Sequence, residues 1–198
     1  MQQPDFVREI SELHAAIARV TRDVGAARHE VAGFKAILEQ YHEQPQLLDP
    51  HLEALLAPLT ATLSGASAAL DDDARFAAVM QACRLLQALI SARGHKTILR
   101  FFPNKAPDIE RALTLLQKLE SLGTRGGEID EDAQDGAWQT RAVLLLWLSG
   151  LVLIPFDFGS IAVARSAFAV DEASEVPASA QWMIALGKQY LSDPGPAR

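Results

Sequence analysis

The sequence predicts an all-α fold of about eight helices, arranged as stacked antiparallel pairs or as a bundle. Apolar residues recur at helical spacing along most of the chain, and no strand-like alternation bounded by hairpin turns occurs. The links between the predicted helices are short, which favours antiparallel neighbours. With 198 residues, 49% of them apolar, the chain can form one domain with a substantial core.

The first three helices follow from apolar spacing and from the prolines between them. From Phe6 to Val24 the apolar positions are spaced 4-3-4-3-4, which predicts one buried seam. A second helix is expected over residues 28–42, after the break at Gly25. Leucines at helical spacing over residues 52–63 predict a third helix, in which Pro58 is expected to cause a kink or an early end. Asp49 is expected to cap this helix, which should begin at Pro50.

The remaining helices are bounded by acids, glycines and prolines. Acids at 71–73 should cap a helix that ends at Gly94, and a short helical piece should follow over residues 95–102. A further helix begins near Pro107, and a last one covers residues 178–191. The glycine-rich acidic stretch 123–136 predicts a mobile loop. The most apolar helix, residues 138–154, should be buried on most sides, Leu146 included.

Composition and charge exclude several classes of protein. The formal net charge of -7 argues against a nucleic-acid-binding protein. The longest apolar stretch, residues 142–154, has 13 residues, fewer than the roughly 20 that a membrane span needs. The single cysteine, Cys83, and the lack of a secretory signal indicate a reducing, cytoplasmic location.

Motifs for catalysis, metals or cofactors are not evident. His29 lacks the second histidine four residues later that a zinc-protease helix would place, since Gly33 stands there. His42 and His51 are better interpreted as polar residues of a corner between helices. Cys83 lies on an apolar stripe and is expected to be a core residue. We therefore predict no catalytic, metal or cofactor residues and no enzymatic activity.

The distribution of charge indicates a candidate partner-binding surface. No acid occurs between Ala74 and Pro107, a region that contains the candidate partner-binding residues Arg84, Arg93, Lys96 and Arg100. The last three are spaced i, i+3 and i+7, so they would share one face if the helix continued through Gly94. Two interpretations stay open: a solvated stripe, paired with the acids of residues 128–135, or a dedicated contact surface.

Three segments of the chain form a distinctive set. The first, residues 41–53, reads YHEQPQLLDPHLE, and the second, residues 93–103, reads RGHKTILRFFP. The third comprises WQTRAVLLLWLS at 138–149 and IPFDF at 154–158. In order and spacing, these segments together resemble the N-terminal region of the tubulin-folding cofactor D family, a group of HEAT/armadillo-type chaperones, and the combination makes the resemblance specific. We call them the family-like segments.

The resemblance implies a HEAT/armadillo-like α-solenoid of stacked antiparallel helix pairs, the N-terminal segment of a longer cofactor. Such a cofactor would bind β-tubulin, assist assembly or disassembly of the αβ heterodimer, and take part in stimulating GTP hydrolysis on tubulin. Cofactor E and an Arf-like small GTPase are the other partners implied, with a cytoplasmic, cytoskeleton-associated location. Tubulin is acidic, so a basic surface would favour its encounter. The alternatives are a solenoid scaffold with a non-tubulin partner and an enzyme without a recognisable motif.

Overall fold

The computed structural model describes residues 9–22, 27–65, 72–123, 131–161 and 170–192, and these ranges contain helices and no β-strand. The prediction of an all-α fold is confirmed. The α-helices are α1 (Ile10–Arg22), α2 (Ala27–Glu39), α3 (Leu52–Ser64), α4 (Asp73–Arg93), α5 (His95–Ile98), α6 (Ala106–Gly123), α7 (Glu131–Leu151) and α8 (Ala178–Leu191). Short 3₁₀ helices occur at Pro45–His51, Leu99–Phe101 and Phe158–Ser160.

Helices that follow one another along the chain pack in pairs, and the pairs stack into an α-solenoid. The pairs are α1 with α2, α3 with α4, and α6 with α7. Helix α4 contacts the first pair on one side and α7 on the other, so it joins the stack. A single apolar cluster runs through the pairs. None of the described helices combines the length and apolar content that crossing a bilayer requires.

At the start of two helices, a carboxylate accepts hydrogen bonds from backbone N–H groups. Asp72 is the N-cap of α4, and its side chain accepts hydrogen bonds from the backbone N–H groups of Ala74 at 2.9 Å and Arg75 at 3.3 Å. This confirms the predicted capping. In α6, the buried Asp108 accepts a 2.8 Å hydrogen bond from the backbone N–H of Lys105. A carboxylate in the first turn thus satisfies a donor that the helix leaves without a partner.

The structure corrects the prediction for Asp49. Helix α3 begins at Leu52, its N-cap residue is His51, and no side chain caps it. Asp49 lies in the preceding 3₁₀ helix and binds Arg93 instead. Pro58 does not end α3 either, since the helix continues to Ser64.

Both ends of α7 differ from the sequence prediction. The helix begins at Glu131, so residues 131–136 are helical where a loop was predicted; residues 124–130 lie outside the described ranges. It ends at Leu151, three residues before the predicted end, and Leu153 is 84% exposed. The predicted burial of residues 142–154 is therefore wrong at the carboxyl end.

Helix α7 is covered on two sides rather than on most sides. Val143, Leu144 and Trp147 are buried where α4 and α6 pack against the helix. Leu146 is only half-buried, so its predicted place in the core is wrong. Its position faces away from the two helices that cover the buried stripe.

The terminal helices agree with their predicted stripes. In α1, Leu13, Ile17 and Val20 are buried, as the seam predicts, whereas Phe6 and Val24 lie outside the described residues. Helix α8 covers its predicted range and buries Trp182 and Leu186.

Candidate functional site

Arg84 is a packing residue rather than a surface cation. It is 8% exposed, and its Nε donates a 3.3 Å hydrogen bond to Oε1 of Gln139 on α7. A Cβ at Gly136 would lie 3.8 Å from the Arg84 side chain, an ordinary van der Waals distance, so the arginine packs closely against α7 there. Arg84 thus holds α4 to α7, and its predicted place on a basic surface is wrong.

Arg93 is held by the corner that precedes α3. Its Nη2 donates to Oδ2 of Asp49 at 2.7 Å, and its Nε donates to Oδ1 of the same carboxylate. The hydrogen bonds from Arg93 lower the pKa of Asp49, and those to Asp49 raise the pKa of Arg93. This bidentate pair connects the first family-like segment with the second.

The four candidate cations do not share one helix face. Gly94 has φ of 92°, a conformation that favours glycine, and it separates α4 from α5. The i, i+3, i+7 arrangement therefore does not form. Lys96 and Arg100 lie beyond this break, and both are exposed. Within the part of the chain that the structure describes, neither has an ion-pair partner.

Lys96 and Arg100 line a groove between the α5 segment and the end of α7. The groove has a volume of about 250 Å³. Its walls come from the second and third family-like segments and the residues next to them: Leu99, Phe102, Pro103 and Asn104 on one side, and Trp147, Gly150, Leu151, Leu153 and Ile154 on the other. We call it the α5–α7 groove. It combines apolar walls with two cations.

Close contacts fix the walls of the α5–α7 groove. The indole Nε1 of Trp147 donates a 2.7 Å hydrogen bond to the backbone carbonyl of Pro103. Gly150 lies so near Leu99 that a Cβ added to the glycine would be 3.0 to 3.2 Å from the leucine side chain. Together with the Asp49–Arg93 pair, these contacts connect all three family-like segments.

A second groove of about 580 Å³ crosses α4 between α2 and α7. Lys35 and Glu39 stand at its α2 side, Gln87 and Ser91 on α4, and Trp138, which is 40% exposed, on α7. Its charged groups are of mixed sign, because a lysine and a glutamate both line it. It therefore indicates no particular partner.

Metal-binding side chains do not cluster in the described residues. Those ranges contain no group of three or more His, Cys, Asp or Glu side chains placed to hold a metal ion. His42 and Glu43 are exposed at the corner after α2. Cys83 is buried, as predicted, and burial raises the pKa of its thiol to about 12. The thiol is thus uncharged at neutral pH.

Lys96 and Arg100 were proposed from the sequence as partner-binding residues, and nothing in the sequence indicated the apolar residues that line the same groove. Leu153 and Ile154 were assigned to a buried helix, because the apolar run continues through them. Pro155 predicts an end at Ile154, because a proline disfavours helical conformation only in the residue before it, and the earlier end at Leu151 has no such local signal. The acids at 128–135, predicted in one interpretation as partners of the cations, lie outside the residues whose side chains the structure describes.

Stacked helix pairs with a partly apolar surface groove define an armadillo-type α-helical repeat domain. A family model described as "Tubulin-specific chaperone D-like, ARM repeat" matches residues 38–198 and includes all three family-like segments. The chain belongs to this family. The resemblance inferred from the segments is thereby confirmed, as is the armadillo-like solenoid. No solved structure matches the chain.

Proposed function

We propose that this chain binds β-tubulin and serves as part of a chaperone for the assembly and disassembly of the αβ-tubulin heterodimer. The family match over residues 38–198 carries the proposal. The α5–α7 groove supports it, because residues from two family-like segments line that groove. The earlier prediction that the chain is the N-terminal segment of a longer cofactor stays a prediction.

The role proposed is binding rather than catalysis. A solenoid offers an extended surface that can hold a large folded client without any catalytic group. Stimulation of GTP hydrolysis on tubulin would then result from contacts with tubulin and its other partners. Cofactor E and an Arf-like small GTPase are the partners that the family resemblance implies. A chaperone of tubulin would be located in the cytoplasm, in association with the cytoskeleton.

Lys96 and Arg100 are the cations proposed to meet the acidic client. Both are exposed and lack partners in the described ranges, so their charges act on approaching molecules. Arg93 contributes less, because its charge is balanced by Asp49. Exposed charges of this kind act mainly on the association rate, and salt screens them beyond about 8 Å at physiological ionic strength.

The test is the rate at which the purified chain captures tubulin. Lys96→Glu with Arg100→Glu should slow capture about tenfold at low salt, and the difference should shrink as salt rises. Lys35→Glu with Lys188→Glu changes the net charge equally at two other exposed positions and is the matched control.

Thermal unfolding of each variant separates loss of folding from loss of binding. An equal decrease in rate for both double variants would mean that net charge, rather than this site, governs capture. No tubulin binding by the unaltered chain at any salt concentration would contradict the proposal and favour a scaffold with a different partner.

A further inference from the structure

We infer that the α5–α7 groove binds an acidic peptide segment of a partner protein, with one large apolar side chain between its walls and carboxylates on Lys96 and Arg100. The inference deepens the proposed function and rests on it for the identity of the partner. It adds the chemistry of the element that is bound: an acidic segment with an apolar anchor.

The size and walls of the groove suit a side chain. Its volume of about 250 Å³ lies below the roughly 300–1,000 Å³ of sites for small molecules. Trp147 and Phe102 are 1% and 5% exposed and form a fixed apolar base. Leu153, 84% exposed, stands at the opening with most of its surface in water. Covering this surface would favour binding of an apolar group.

The two cations of the groove favour acidic residues on either side of the apolar anchor of the bound peptide. Among the described residues that line it, Lys96 and Arg100 are the charged ones, and no carboxylate stands beside them in that lining. Acids on neighbouring elements have partners: Asp49 binds Arg93, Asp108 binds Arg111 at 2.5 Å, and Asp157 accepts a 2.9 Å hydrogen bond from the backbone N–H of Gly159. Carboxylates of an incoming segment would therefore supply the missing counter-charges.

Other occupants fit the observations less well. Two cations on a chain of net charge -7 are too few to hold a nucleic-acid backbone, which usually requires a broad basic surface. A second copy of the chain is acidic overall and could reach the same groove. Its binding would appear as self-association that depends on Leu153, and the experiment below measures it.

The probe is a labelled synthetic peptide of glutamate and glycine with one central phenylalanine, titrated with the full chain and followed by fluorescence anisotropy. Two companion peptides carry alanine in place of phenylalanine, or glutamine in place of glutamate. We expect each companion to bind about tenfold more weakly, because each lacks one of the two complementary features.

Variants of the chain assign the binding to the groove. Leu153→Ser should weaken binding of the parent peptide about tenfold at every salt concentration. Lys96→Glu with Arg100→Glu should weaken it about tenfold at low salt and less at high salt. Ile184→Ser removes another exposed apolar side chain, 52% exposed on α8, and should leave binding unchanged.

Several outcomes would overturn the inference. Equal binding of the parent and alanine peptides would exclude the apolar anchor, and equal effects of Leu153→Ser and Ile184→Ser would exclude the groove. Sedimentation showing a dimer that Leu153→Ser disperses would assign the groove to a second copy.

The tubulin-capture assay distinguishes a failure of this inference from a failure of the proposed function. Peptide binding without tubulin capture would refute the proposed function alone. Tubulin capture unaffected by every groove variant would refute the inference and the role proposed for Lys96 and Arg100, whereas tubulin binding by the chain would still hold.

Discussion

Glu120 holds three helices together, and its replacement should destabilise the fold more than an ordinary change on a helix surface. From α6 its carboxylate accepts hydrogen bonds from Arg141 on α7 at 3.1 Å and from Gln189 and Tyr190 on α8 at 3.1 and 3.0 Å. The Arg141 guanidinium also lies over the Tyr190 ring, 5.3 Å from its centre. The last helix is thereby connected to the α6–α7 pair.

The partial burial of this cluster sets the expected magnitude. The side chains of Glu120 and Arg141 are 24% and 26% exposed, so this ion pair is intermediate between a surface pair and a buried pair. A surface ion pair is worth under about 1 kcal/mol, and disruption of a buried pair costs about 3–5 kcal/mol. Glu120→Ala should therefore lower the free energy of unfolding by about 2–3 kcal/mol. With a urea dependence of about 2–3 kcal/mol per molar, the midpoint should decrease by about 1 M.

Urea unfolding followed by circular dichroism measures this effect, and a matched variant on the same helix controls for it. Glu110→Ala makes the same substitution on α6, at a side chain that has no hydrogen bond or ion pair in the described ranges. Tyr190→Phe removes only the hydroxyl and should cost about 1 kcal/mol. If Glu120→Ala costs no more than Glu110→Ala, the cluster does not stabilise the stack and the reasoning is refuted.

Other contacts give three further predictions. Because Arg93 lowers the pKa of Asp49, their contribution is present above the unfolded pKa of about 4 and is lost as pH falls through the folded value. Since Asp49 is 42% exposed, Asp49→Asn should cost under about 1 kcal/mol at pH 7, and in urea unfolding the difference should shrink as pH falls below about 4. Cys83 should react with a thiol reagent at pH 8 only when denaturant unfolds the chain, and rapid reaction of native protein would contradict its burial. Leu144→Ala should cost about 2–5 kcal/mol and Leu146→Ala clearly less, whereas equal losses would show that both contact the core.

Local sequence signals were sufficient for the helices themselves. The seam of α1 and the acids before α4 predict elements that the structure contains, because apolar periodicity and N-capping act within a few residues. The same signals could not place Asp49. A carboxylate near a helix start usually caps it, but here Arg93 at the end of another helix offers a bidentate partner.

The cations of the site show where local signals fail. Arg84 belongs to the acid-free region, and residue type alone suggested the surface. Its burial results from packing against α7, where it lies beside Gly136 and donates to Gln139, and no spacing rule relates Arg84 to that helix. The break between Arg93 and Lys96 was easier to predict from the sequence, because a glycine at a helix end commonly adopts the positive φ that Gly94 has.

If the α5–α7 groove binds a partner as we infer, its apolar walls should set the affinity and its two cations should set the association rate. Its walls are held in place without a partner, because the Trp147 indole donates a hydrogen bond to the Pro103 carbonyl and Gly150 lies against Leu99. A preformed wall avoids the cost of ordering on binding, so apolar contacts there should act mainly on dissociation. The two cations are exposed side chains without fixed partners in the described ranges, so they should act mainly on encounter. Changes at Leu153 and at Lys96 should therefore appear in different rate constants, although both residues line the same groove.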